Sequence, residues 1–263
     1  MRPKKALTIA GSDSGGGAGI QADLKTFFAL GVHGMSAITA LTAQNTVGVE
    51  DVHEVPPSFV SRQIDVVATD IGVDAAKTGM LSSAAVIEAV AKSVHNHEIP
   101  FLVCDPVAVS KHGDRLLEPS ALDALRTKLI PLATVITPNV PEAEGLLGRT
   151  LDPSVPDEAA ARDLVALGPQ WVLLKGGHLG SEEAVDILTD GAELILLSSP
   201  RVPTKHTHGT GCVLSAALTA GLATGLDVVS AARQAKKFVT RAIELHLEIG
   251  HGIGPVNPAW GIW

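Results

Sequence analysis

The run His208-Gly209-Thr210-Gly211-Cys212 stands directly ahead of an apolar stretch, Val213 to Leu222, that reads as a helix. Glycine lets a backbone come close to a ligand. The first turn of a helix offers unpaired N–H groups and the positive end of the helix dipole. Gly209 and Gly211 at such a position describe an anion hole of the kind that holds a transferring phosphoryl group. Cys212 falls at the helix start, where a thiol shifts toward thiolate and can accept a proton from a substrate hydroxyl. The same spacing also fits an ordinary glycine turn with a buried cysteine, and spacing alone leaves both readings open.

A second glycine-rich segment runs from Gly11 to Gly19, with Ser12, Asp13, Ser14 and Ala18 among its glycines. It follows the first apolar run and precedes the first helical one, where a dinucleotide fingerprint would lie. The G-x-G-x-x-G spacing fails because Ile20 stands at the last glycine position, and the G-x-x-x-x-G-K-[ST] pattern fails because no lysine follows. The loop is therefore expected to wrap a small ligand rather than a pyrophosphate, or else to be a flexible turn. Asp105 follows the apolar run 101–104, and Asn139 and Glu142 follow the run 134–137. Oxygen ligands of this kind suit magnesium, directly or through water, although each carboxylate alone also suits a helix cap or a surface position. Lys175 opens Lys175-Gly176-Gly177-His178 after another apolar run, where a lysine can reach a phosphate or simply sit in a solvated turn. Cys104 reads as core. His95, His97 and His112 lack metal-ligand spacing, and His206 and His208 have no second cluster, so no structural metal is expected.

These residues need a scaffold that brings distant loops together. Short apolar runs at 6–10, 36–43, 75–78, 101–104, 134–137, 171–174 and 194–197 read as strands, the last near an edge. Helix-period segments fall at 20–30, 57–70, from Ser82 or Ser83 onward, 120–129, from Pro141, 156–167, 211–222 and 228–248. Strand runs without alternation mean burial on both faces. Strand and helix in turn across the chain mean crossovers and a mostly parallel sheet. In such a sheet the ligand lies at the carboxyl ends of the strands, which is where the glycine loop, 77–80, Asp105, Asn139 and 175–178 all fall. The loop 152–156 reads as a connection inside one domain rather than a boundary, so residues 1–263 are expected to form a single domain.

Composition narrows the class. A chain of 263 residues suits one large α/β domain, which can run to roughly 250 residues. It is 46% hydrophobic and 18% charged, a balance that argues against disorder. The formal net charge of −8 argues against nucleic acid as the main partner but not against a nucleotide, which needs only local donors and a few cations. Two cysteines make no disulfide framework, and the basic start at Arg2, Lys4 and Lys5 precedes too short an apolar run for a signal peptide. No stretch approaches the ~20 apolar residues of a membrane span, and a cytoplasmic location is expected.

Taken together, the motifs resemble the ribokinase superfamily and, within it, the hydroxymethylpyrimidine/phosphomethylpyrimidine kinases of thiamin biosynthesis. The matching stretches are 6–27, 42–46, 77–81, 105–107, 136–139 with Pro141 and Glu142, 175–178, 207–212 and 252–257, in order along nearly the whole chain. The resemblance implies a three-layer α/β/α ribokinase-like fold. It implies transfer of the γ-phosphoryl of ATP to 4-amino-5-hydroxymethyl-2-methylpyrimidine, then a second phosphorylation of the monophosphate to the diphosphate. It further implies Mg2+, a homodimer, and the following roles. Cys212 matches the catalytic base, with Gly209 and Gly211 in the anion hole. Gln44 matches the residue that bonds the aminopyrimidine ring, and Gly11, Ala18, Asp23, Met80 and Val107 match the rest of that pocket. Asp105, Asn139, Glu142, Lys175 and Thr207 match the nucleotide and magnesium neighbourhood, with Asp105 and Glu142 as the metal carboxylates. Most of the superfamily has aspartate where Cys212 stands, and the cysteine also occurs in a related branch of pyridoxal kinases. The amide of Gln44 supplies a donor and an acceptor to a ring with an amino group beside a ring nitrogen, which favours the pyrimidine. A pyridoxal kinase, a non-catalytic pyrimidine-binding protein and a nucleotide-dependent oxidoreductase are the competing readings, the last set back by the failed fingerprint.

Overall fold

The side-chain parity of the central strands shows how the layers are built. In the computed structural model, which describes residues 3–107, 119–152, 157–176 and 182–262, nine strands form one sheet. They are β1 (Lys5–Asp13), β2 (His33–Gln44), β3 (Val49–Glu54), β4 (Ala75–Thr78), β5 (Leu102–Cys104), β6 (Val135–Ile136), β7 (Trp171–Lys175), β8 (Glu183–Thr189) and β9 (Leu194–Pro200). Their order is β3-β2-β1-β4-β5-β6-β7-β8-β9. The six strands from β2 to β7 in that order run parallel, while β3, β8 and β9 each pair antiparallel with a neighbour.

Alternate residues of a strand point to opposite faces. Leu102 and Cys104, Ile136, Val172 and Leu174, and Ile187 accordingly join one apolar cluster, while Val103, Val135, Leu173 and Leu188 join the other. The first cluster is closed by α2 (Pro57–Asp70), α3 (Ala84–Asn96), α4 (Pro119–Ala124), α5 (Val140–Leu147) and α6 (Glu158–Val165). The second is closed by α1 (Gly19–Ala29), α7 (Thr210–Ala223) and α8 (Val228–Glu244). The result is the three-layer α/β/α arrangement that the resemblance implied, built on the mostly parallel sheet expected from the alternation of strand and helix. Residues 213–223 of α7 are all buried, which explains why this helix is apolar on every side.

Several elements differ from the sequence expectation, each for a physical reason. β1 runs on through Gly11 to Asp13, with its register on β2 slipping between Ala10 and Ser12, so the glycine loop is shorter than its composition implied. β3 reads Val-Glu-Asp-Val-His-Glu and is exposed at five of six positions, so it carries no apolar run to detect. β8 was hidden by Asp186, a charge in mid-strand that is buried because Lys236 meets it at 2.8 Å. α4 passes into a π turn at Leu125–Leu129 and a 3₁₀ turn at Ile130–Leu132. α8 stops at Glu244 rather than 248, where His246 Nδ1 donates to the Ile243 carbonyl at 3.0 Å. No helix among the described residues is long and apolar enough to cross a membrane. His112, His178 and most of the 152–156 loop lie outside the described residues.

Candidate active site

The carboxyl ends of the parallel strands open into one elongated cleft of about 460 Å³. At one end lie Gly11, Ala18, Gln44, Met80 and Val107; at the other lie Ala184, Asp186, Ser199, Lys236, Val239 and Ile243; Asp105, Lys175 and 209–212 sit among its walls.

Gly209 is the N-cap of α7 and holds φ at +81°, a left-handed conformation open mainly to glycine. A Cβ there would stand 1.9 Å from the carbonyl oxygen of Gly17, so the turn and the glycine loop meet backbone to backbone. A Cβ on Gly211 would lie 3.4 Å from Lys175 Nζ and 3.6 Å from Asp105 Oδ2. The start of α7 at Gly211 therefore lies against a lysine and a carboxylate, while the Thr210 N–H is already taken by the Thr207 carbonyl at 3.3 Å. The Thr207 carbonyl accepts the Thr210 hydroxyl at 2.7 Å and so braces the same turn.

Cys212 lies in the first turn of α7, half-buried in the cleft wall. Burial pushes its thiol up to about 11; Asp23 and Asp105 add to the rise, and Lys77 and the Gly19 N–H oppose it. The expectation that a helix start makes this thiol a ready thiolate is therefore corrected: the nearby carboxylates and the loss of water outweigh that pull, and the group is neutral at pH 7.

Asp105 is buried, with Oδ1 accepting from Thr137 Oγ1 at 3.0 Å and Lys175 Nζ at 3.1 Å, and Oδ2 from Ser215 Oγ at 3.3 Å. Burial pushes its pKa up, and Lys175 and Lys77 outweigh that and hold it below the ordinary carboxylate value. Asn139 and Glu142 form a reciprocal cap on α5: Glu142 N donates to Asn139 Oδ1 at 2.9 Å, and Asn139 N to Glu142 Oε2 at 2.8 Å. Both also line the cleft, so cap and site are one structure. Burial raises Glu142 to about 7 against the partial relief from Lys175, whose Nζ is 3.7 Å from Oε2. The donor set is all oxygen, with one carboxylate held ionised and the second near neutrality beside a lysine. That chemistry fits a Mg2+ ion shared with phosphate oxygens and water better than an all-protein cage.

Gln44 closes the first end. Its Oε1 accepts from Thr42 Oγ1 at 3.2 Å, which leaves the amide nitrogen for the cleft. Asp23, expected in the same pocket, lies one layer below. It is fully buried, with Lys77 Nζ at 2.7 and 2.9 Å and Thr8 Oγ1 at 2.6 Å, and it reaches the cleft through Lys77. Burial opposes a charge on Lys77, but Asp23 outweighs that opposition and its pKa is raised.

Three pairings were not legible in the sequence: Lys77 and Asp23 lie 54 residues apart, Asp186 and Lys236 50 apart, and Asp13 and His208 195 apart at 2.9 Å. The contacts are long-range, and no local spacing announces them. His206 also gains partners that sequence did not show: it stacks on His246, and with Glu248 their ligand atoms lie within 4.8 Å of one another. His206 Nδ1 accepts the Gly254 N–H at 2.9 Å, so its Nε2 carries the proton and has no lone pair for a cation. The cluster ties down the C-terminal segment.

The family model for phosphomethylpyrimidine kinase matches residues 13–257. The chain belongs to the phosphomethylpyrimidine kinase family. As a member of that family it is a phosphotransferase. The hydroxymethylpyrimidine/phosphomethylpyrimidine kinase of Streptomyces coelicolor is 53% identical over 262 residues, spanning 100% of this chain and 97% of that protein. The Bacillus subtilis protein of the same name is 50% identical over 96% of this chain and 94% of its own length. Among solved structures, Bacillus subtilis pyridoxal kinase with ADP superposes with a TM-score of 0.91 at 43% identity, over 98% of each chain. Phosphomethylpyrimidine kinase from Clostridium difficile gives 0.80 at 44% identity, over 91% of this chain and 99% of that one.

Proposed function

We propose that this phosphomethylpyrimidine kinase family member moves the γ-phosphoryl of ATP to the hydroxymethyl of 4-amino-5-hydroxymethyl-2-methylpyrimidine, and then phosphorylates the monophosphate to the diphosphate used for thiamin. The observation that carries the reading is the glycine-capped start of α7, which faces Lys175 and Asp105 in a cleft that also holds the Gln44 amide and the Asp186–Lys236 end. Phosphoryl transfer asks mainly for positioning and charge stabilisation, and this layout supplies both. Gln44 orients the aminopyrimidine, with Gly11, Ala18, Met80 and Val107 around it. The N–H groups of Gly211 and Cys212, together with Lys175, receive the phosphoryl oxygens. Asp105 and Glu142 hold Mg2+ directly or through water, and the ion supplies further charge neutralisation. The neutral Cys212 thiol can only hydrogen-bond the alcohol; the ionised minority of Cys212 accepts the alcohol's proton and becomes the thiol as the new P–O bond forms.

The decisive assay is ATP turnover with the pyrimidine alcohol, its monophosphate and pyridoxal, side by side. Turnover of both pyrimidines is expected, and a clear preference for pyridoxal would overturn the assignment. Pyridoxal phosphorylation is a second reading with its own support, because a pyridoxal kinase matches this fold at a TM-score of 0.91. The proposed enzyme works in the cytoplasm as a homodimer; Leu41, Val47 and Val52 on the outer hairpin β2–β3 and its turn are exposed apolar groups for a partner subunit to cover, and sedimentation at the monomer mass would refute the dimer.

A further inference from the structure

We propose that the buried Asp13–His208 pair is a positioning device that fixes the glycine loop against the first turn of α7 for phosphoryl transfer. The inference rests on the kinase reading of the same cleft and deepens it.

The Asp13 carboxylate is 2% exposed and organises the loop around itself. Oδ1 accepts Gly15 N at 2.8 Å; Oδ2 accepts Gly17 N at 3.0 Å, Ala18 N at 2.8 Å and His208 Nε2 at 2.9 Å. A carboxylate with this many donors is ionised, so His208 carries its proton on Nε2. The imidazole packs directly against the loop, because a Cβ on Gly17 would stand 2.5 Å from His208 Cδ2. One residue on, Gly209 meets the Gly17 carbonyl oxygen. Loop and helix start are thus joined twice in succession, once by a charge-assisted bond and once by backbone contact.

The His208 backbone is held independently. Its backbone N–H donates to Gly254 O at 3.2 Å, and its carbonyl accepts Val256 N at 3.0 Å. The C-terminal segment therefore holds His208 from behind while Asp13 holds it in front. Gly11 and Ala18 line the alcohol end of the cleft, whereas Gly209 to Cys212 form the wall beside Lys175 and Asp105. A shift of about 1 Å between reacting groups can cost on the order of 100-fold in rate. Asp13 already has three backbone donors without His208, so the histidine is not there merely to satisfy a buried charge. What it adds is registration between the glycine loop and the phosphoryl-binding turn.

Steady-state kinetics of four variants test this: His208→Leu, His208→Gln, Asp13→Asn and the His208→Leu/Asp13→Asn pair, each compared at equal folded fraction from a melting curve. His208→Leu is expected to lower kcat about 10- to 100-fold with both KM values near wild type. His208→Gln, whose amide nitrogen can reach the same carboxylate, should recover most of that loss. The double variant should be no worse than the worse single one, since residues acting as a unit are not additive. An unchanged kcat in His208→Leu, a loss wholly in KM, no recovery in His208→Gln, or additive singles would each overturn the proposal. If Asp13→Asn fails to fold, the comparison of His208→Leu with His208→Gln decides alone. Wild-type turnover is the separate control: its absence would refute the kinase reading, whereas normal wild-type turnover with unaffected variants would refute only the pair.

Discussion

Cys212 shows how far a residue's surroundings can reverse its local rule. The start of a helix lowers a thiol pKa in general, yet here burial beside Asp23 and Asp105 lifts it to about 11. If thiolate takes part in the reaction, wild-type kcat should climb with pH between 7 and 10, and Cys212→Ala should lose activity and show a flat profile. A flat wild-type profile would remove the thiolate from the reaction. Glu142 makes a prediction about stability rather than rate. Its folded pKa is about 7 against an ordinary 4.5, so between those values the folded chain keeps a proton that the unfolded chain has released. Its stabilising contribution is complete below 4.5 and is lost as pH rises through 7. Glu142→Gln keeps an acceptor for the α5 cap but cannot titrate. In metal-free buffer, urea unfolding of this variant relative to wild type should improve steadily from pH 4.5 to pH 8; a flat or opposite trend would show that Glu142 is not held neutral by burial. Residue types and their order along the chain were legible from sequence for Gly209, Gly211, Asp105 and Lys175, because each follows a clear strand or precedes a clear helix. Their charge states were not, since those depend on neighbours from other strands.

At the scale of elements, the ion pair between Asp23 of α1 and Lys77 of β4 stitches a helix to the sheet with no water between. Thr8 of β1 supplies a further bond, so three elements meet at one carboxylate. Breaking one side of such a pair leaves a charge stranded in the interior and costs about 3–5 kcal/mol, whereas replacing both sides with apolar groups costs far less. Lys77→Met should therefore fall in that range by urea unfolding, and Asp23→Leu/Lys77→Met should regain much of it. A loss under about 1 kcal/mol for the single variant would place the pair among weak, solvated bridges. The same elements mark where sequence reading succeeds. Double-sided burial made β5 and β7 plain as unbroken apolar runs. β3 and β8 escaped because edge exposure and an internal carboxylate each erase that signal. Asp186 became readable as a strand residue only once α8 brought Lys236 to it.

For the molecule as a whole, the parallel core fixes where the cleft must be, and the chain then returns to that edge from far downstream. Leu247 N bonds to Pro255 O, Ile253 N to Thr46 O and Val256 N to His208 O, so the last segment of the chain spans from the turn beyond Gln44 to the start of α7. A Cβ on Gly252 would lie 1.9 Å from the Thr46 carbonyl oxygen, so this segment packs directly against that turn. The resemblance marked 252–257 without giving it a task, because the task lies in main-chain bonds and in glycines that let the backbones meet. These bonds make the tail a natural reporter. Ile253 and Val256 lie outside the cleft lining, yet each amide proton is secured by a segment that holds one end of it. Deuterium uptake at these two amides should slow when nucleotide and alcohol are both bound. Uptake indifferent to ligand would mean that the tail rides passively on the fold.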